Sequence, residues 1–171
     1  YQGFMGLTSH EYFHTWNVKQ IRPAGIHPYD FAKENYVNEL WIAEGGSDYY
    51  GSLFLLRCNF FSVDNYLQSI AGSVQQDRLK PGNRVQSATE SSFDAWVKLW
   101  RNSPNAYNAE SDYYDKGASL FLLLDLEIRQ SSGNKSSLDD VMKAMFQRFR
   151  LGKKGYTVDD FQKVAEEFAG K

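Results

Sequence analysis

The chain has 171 residues, 42% of them hydrophobic and 23% charged, with a formal net charge of −2, proportions that suit a folded chain of one or at most two domains. No basic cluster interleaves with aromatics, which leaves no case for nucleic acid as a partner, and no apolar run is long enough to insert into a membrane. A single cysteine, Cys58, excludes an internal disulfide and reads as a small buried apolar side chain.

The first predicted element is a helix from Gly3 to Trp16, with Phe4, Leu7, Glu11 and His14 at helical spacing along one side. It contains His10-Glu11-Tyr12-Phe13-His14, an H-E-x-x-H motif. Histidines four apart project from one face, one turn from each other, so both imidazoles can reach a single cation while Glu11 handles the proton of an activated water. The same letters also fit two buried histidines satisfied by backbone or carboxylate partners, with Glu11 solvated. A catalytic zinc takes three protein ligands and keeps one position open, so the zinc reading requires a third ligand downstream.

Pro23, Gly25 and Pro28 mark an irregular stretch from Ile21 to Asp30. From Glu34 to Cys58 the pattern predicts one long helix, whose core face runs through Leu40, Glu44, Asp48 and Leu55. Glu34 follows His14 after nineteen residues, the spacing of thermolysin-like peptidases. Glu44 is the better candidate for the third ligand, because it lies inside Leu40-Trp41-Ile42-Ala43-Glu44-Gly45-Gly46. A carboxylate in so apolar a run must be paired or metal-bound, since burying it bare costs several kcal/mol. Asp48, one turn further on, can reach the same side and accept the other ring N–H of His10, or it can be a solvated surface residue.

Helices are expected next over Asn65 to Gln75, Ser92 to Trp100 and Asp112 to Arg129, the last carrying the apolar run Ala118 to Leu126 as a central buried helix. Ser137-Leu138-Asp139-Asp140 and Thr157-Val158-Asp159-Asp160 read as N-caps with acidic first turns, opening helices to about Phe149 and Phe168. Period-two strands are absent. The chain therefore reads as mainly α, a single helical domain over 1–171.

The run from Ser9 to Pro23, Ser-His-Glu-Tyr-Phe-His-Thr-Trp-Asn-Val-Lys-Gln-Ile-Arg-Pro, closely resembles the active-site segment of the M61 metallopeptidases, the glycyl aminopeptidase family. Glu34-Asn35-Tyr36, then Leu40 to Gly45 with Tyr49-Tyr50, is similar to the family's second block, and Tyr113-Tyr114-Asp115-Lys116-Gly117-Ala118 to a third. The resemblance implies a multi-helix, C-terminal portion of a thermolysin-like (gluzincin) catalytic domain that binds Zn2+. His10, His14 and Glu44 take the place of the metal ligands, Glu11 that of the general base and acid, and Tyr114 that of the oxyanion stabiliser. On its residues alone, Tyr114 reads rather as one of eleven tyrosines filling an aromatic core. Gly46 stands where the family usually has an aromatic, a departure expected to loosen packing beneath the metal.

The implied activity is that of a zinc-dependent aminopeptidase releasing Gly or Ala from a peptide or protein substrate. The family's upstream β region, which holds the substrate, and its C-terminal PDZ domain have no counterpart in these residues. The chain is accordingly expected to be a fragment, weakly active or inactive by itself, whose partners include other domains of the same polypeptide. Glu34, Asp30 and Asp112 are acidic groups that could reach a substrate amine. Two alternatives stand beside this reading: a zinc-binding but inactive relative, and a helical protein-interaction domain with an accidental motif. The compartment is left open.

Overall fold

A computed structural model describes residues 1–101 and 103–170, and among these there is no strand. Helix α1 spans Gln2–Phe13 and α2 spans Gly46–Arg57, preceded by a π-helical turn, Trp41–Gly45. Then come α3 (Val63–Leu79), α4 (Ala88–Phe93), the short α5 (Ala106–Ala109), α6 (Tyr113–Ser131), α7 (Leu138–Phe149) and α8 (Val158–Ala169).

Helix α6 is the axis of the molecule. Its Phe121 is fully buried, with Trp41 of the π-turn, Tyr49 of α2 and Phe161 of α8 around the ring. It is not buried all round, as its apolar sequence suggests: Leu123 and Leu126 face outward at 61% and 54% exposure. Its buried Asp125 accepts from Tyr49 Oη, Arg129 Nε and the Leu138 backbone N–H, each at 2.8 Å, and so fastens α2 and the start of α7 to α6. The π-turn lies directly on α6 because two glycines meet there: a Cβ on Gly45 would sit 2.4 Å from Gly117 Cα.

Helix α1 lies against α2 through Phe13, whose ring stacks on Tyr50 at 4.7 Å, and through Ser9 Oγ, which donates to Gly51 O at 2.8 Å. The stripe of Phe4, Leu7, Glu11 and His14 is not the core face; Phe4 and Leu7 are largely exposed, and the later part of the stripe opens on a cleft. Apolar spacing alone cannot tell a face that meets protein from one that meets a cleft.

The long helix expected from Glu34 begins only at the π-turn. Asn35 turns its amide back to Asp30 O at 2.7 Å, one of the local bonds by which asparagine competes with helix. Trp41 N–H is capped from outside by Ser92 Oγ at 3.0 Å. Buried Glu39 closes the entry, accepting from Asn38 N and, across the chain, from Val158 N, both at 3.1 Å. Helix α4 also starts earlier than Ser92, because Ser87 and Glu90 form a capping box ahead of it, and it ends at Phe93. Capping boxes at Ser137/Asp140 and Thr157/Asp160 open α7 and α8 where the sequence places them. Cys58 caps the end of α2 and is exposed, contrary to its reading as a core residue.

Candidate metal centre

The last turn of α1 and the π-turn face each other across a cleft of about 770 Å³, lined among others by His10, Glu11, His14, Glu44, Asp48 and Tyr114. Glu44 Oε2 lies 3.2 Å from His10 Nε2 and 3.2 Å from His14 Nε2. The two imidazoles stand edge to face, their ring centres 4.6 Å apart.

Hydrogen bonds behind the rings fix which nitrogen faces the cleft. His10 Nδ1 meets Asp48 Oδ1 at 2.7 Å and His14 Nδ1 meets the Asn17 carbonyl at 2.8 Å. Both partners are acceptors, so each Nδ1 carries its hydrogen and each neutral ring turns a lone pair toward Glu44. With both rings neutral, three acceptor atoms converge with no donor among them. Such a set is stable when the histidines are protonated or when a cation sits between them.

The electrostatics point the same way. Burial works against charge on His10, yet its bonds to Asp48 and Glu44 outweigh that and raise its pKa to about 9. Burial likewise opposes charge on Glu44, and the two histidines overcome it, holding the carboxyl down at about 2. His14 is also raised, burial again being overcome by Glu44 and the Asn17 carbonyl. The donor set suits zinc: bonds of about 2.0–2.1 Å at tetrahedral angles put neighbouring ligand atoms about 3.3 Å apart, against the 3.2 Å observed on both sides of Glu44. His10, His14 and Glu44 bring their ligand atoms within 4.8 Å of one another.

Glu11 is exposed on the same cleft. The two tyrosines that the sequence leaves hard to separate take different places. Tyr113 is buried and its hydroxyl accepts from Trp100 Nε1 at 3.1 Å, whereas Tyr114 faces the cleft with its ring 6.3 Å from that of His10. Burial, reinforced by the negative charge of Glu44, raises the Tyr114 pKa and keeps its phenol protonated. Glu34 is exposed outside any helix, and neither it, Asp30 nor Asp112 lines the cleft; Asp112 caps α6 through the Tyr114 N–H at 2.8 Å.

Gly46 does not loosen this region. A Cβ there would lie 2.7 Å from Phe121 Cζ and 3.3 Å from Asn17 Nδ2, so the space is already filled from α6 and from the turn after α1. Asn17 and Ser47, which sequence reasoning passed over, are buried beside His14. The only signal for Asn17 in the sequence is its place in the matched segment.

The family model of the M61 glycyl aminopeptidases matches residues 3–120. The chain belongs to this family. Among solved structures, it is similar to the crystal structure of an aminopeptidase N family protein from Idiomarina loihiensis, at 37% identity and a TM-score of 0.90. That match covers 94% of this chain and 27% of the other, so the M61 chain spans about a quarter of its structural neighbour. None of the curated proteins matches it.

Proposed function

We propose that this M61 chain carries the metal site of a zinc-dependent peptidase, an aminopeptidase that releases small N-terminal residues such as glycine or alanine. The observation that carries the reading is the convergence of His10 Nε2, His14 Nε2 and Glu44 Oε2, with the Nδ1 side of each ring engaged by Asp48 and by the Asn17 carbonyl. Zinc held by these three would supply a Lewis acid that polarises the scissile carbonyl and lowers the pKa of water toward about 7.

The residues around it divide the remaining work. Glu11 takes the proton of the attacking water and delivers it to the leaving amine. Tyr114, kept protonated by burial and by Glu44, lines the cleft and turns its hydroxyl from Tyr113 to the carbonyl oxygen as that oxygen gains charge. Asp48 orients the His10 ring and enriches it as a ligand. The small-residue preference rests on the family description, that of the glycyl aminopeptidases.

The test is hydrolysis by the natural polypeptide of peptides beginning with Gly or Ala, beside the same peptides acetylated at the amino terminus. Free peptides are cleaved one residue at a time and acetylated ones are not. Internal cleavage of both sets would overturn the aminopeptidase reading, and zinc uptake without cleavage of either would leave an inactive relative.

A further inference from the structure

We propose that Asn17, with Ser47, is a positioning residue that binds the two ligand-bearing segments into one rigid unit; the proposal rests on the zinc reading above. Asn17 is 1% exposed and sits three residues beyond His14. Its backbone carbonyl accepts from His14 Nδ1 at 2.8 Å. Its side-chain amide crosses to the other segment and donates to Ile42 O at 3.0 Å and Ala43 O at 2.9 Å, the carbonyls just before Glu44.

Ser47 closes the loop from the far side of Glu44. Its hydroxyl donates to Ala43 O at 2.7 Å and turns its oxygen to His14 Nδ1 at 3.2 Å. His14, Asn17, Ala43 and Ser47 thus form a closed circuit, and Glu44 lies between two of its members. A π-turn widens the helix and leaves carbonyls poorly satisfied by the usual ladder, which is where an outside donor is needed.

Two further observations fit this role. Val18, directly after Asn17 and lining the cleft, has a φ of 150°, a region that a β-branched residue enters only where its surroundings enforce it. The bend delivers the Asn17 carbonyl to His14 and its amide to the backbone just before Glu44. Gly46, in turn, is the residue whose missing side chain leaves room for that amide, since a Cβ there would stand 3.3 Å from Asn17 Nδ2. Glycine at 46 goes with the reach of Asn17.

The test compares, in the natural polypeptide, zinc affinity by competition with a chromophoric chelator and the visible spectrum of the cobalt(II)-loaded form. Asn17→Asp keeps size and backbone carbonyl but cannot donate; Asn17→Leu removes all side-chain polarity. Both are expected to weaken zinc binding by about 10- to 100-fold, the range for residues that orient ligands, and to change the cobalt spectrum. Val164→Ala, a core change in α8 away from the cleft, separates this from general loosening: it is expected to lower the urea midpoint and leave zinc affinity within about twofold.

Folded Asn17 variants with wild-type zinc affinity and cobalt spectrum would overturn the proposal. Should neither variant fold, Ser47→Ala decides, with weaker zinc binding expected and unchanged binding overturning the circuit. A wild-type natural polypeptide that takes up no zinc overturns the metal reading itself, an outcome distinct from zinc uptake indifferent to Asn17.

Discussion

His10 gives its Nδ1 hydrogen to Asp48 at 2.7 Å, and that bond decides which nitrogen is left for a metal. With Nδ1–H engaged, Nε2 faces Glu44 and the cleft. Asp48→Ala should therefore weaken zinc binding by about 10- to 100-fold without removing a ligand. Asp48→Asn, which can still accept from Nδ1 through its amide oxygen, should lose less. Chelator competition on the two variants checks the order; equal affinity in both and in wild type would contradict it.

The same bond makes the site pH-dependent. In the folded, metal-free chain His10 keeps its proton up to about pH 9, against 6.5 for an unperturbed histidine. Its stabilisation is fully present below pH 6.5 and is lost as pH rises through 9, because there the unfolded state no longer holds the proton that the fold retains. Urea midpoints of the metal-free chain should thus fall between pH 6.5 and 9. Zinc must displace that proton, so its apparent affinity should climb over the same interval rather than level off at 6.5.

Glu11 and the two neighbouring tyrosines separate chemistry from structure. Glu11→Gln should keep zinc and lower turnover by about 10²- to 10⁴-fold, the usual worth of a positioned acid–base group. Tyr114→Phe should cost about 10²- to 10³-fold in kcat with little change in KM. Tyr113→Phe, which removes a hydroxyl that meets Trp100 and Tyr114 but does not line the cleft, should cost much less turnover than Tyr114→Phe. An active Glu11→Gln enzyme would sink the assignment of roles.

Two adjacent glycines are predicted to respond differently to alanine. Gly45→Ala drives a methyl into the backbone of Gly117, and Gly46→Ala into the ring edge of Phe121. Each should cost at least about 1–3 kcal/mol, the range for overpacking a filled core. Phe121→Leu should recover part of the loss at Gly46 and none at Gly45, because a side chain can be cut back and a backbone cannot. Urea midpoints of the singles and doubles measure the coupling.

Local signals in the sequence go far. The H-E-x-x-H spacing and the carboxylate set among Trp41, Ile42 and Ala43 point to the three side chains that the structure gathers, and the capping boxes before α7 and α8 mark those helices to within a residue. The long-range relations are where it stops. Neither the π-turn nor the late start of its helix follows from periodicity, since both depend on Ser92, Val158 and Asn17 arriving from elsewhere in the chain. The exposed side of α1 misled for a similar reason: a helix lining a cleft carries apolar residues much as one lining a core does. Cys58 shows that residue type is a weak guide at a helix end.

Zinc content of the purified chain, measured beside that of Glu44→Ala, tests the central claim most directly. The account predicts close to one zinc per chain, lost when Glu44 is replaced while the fold persists. Absence of zinc after soaking, or zinc retained in full by Glu44→Ala, would contradict it.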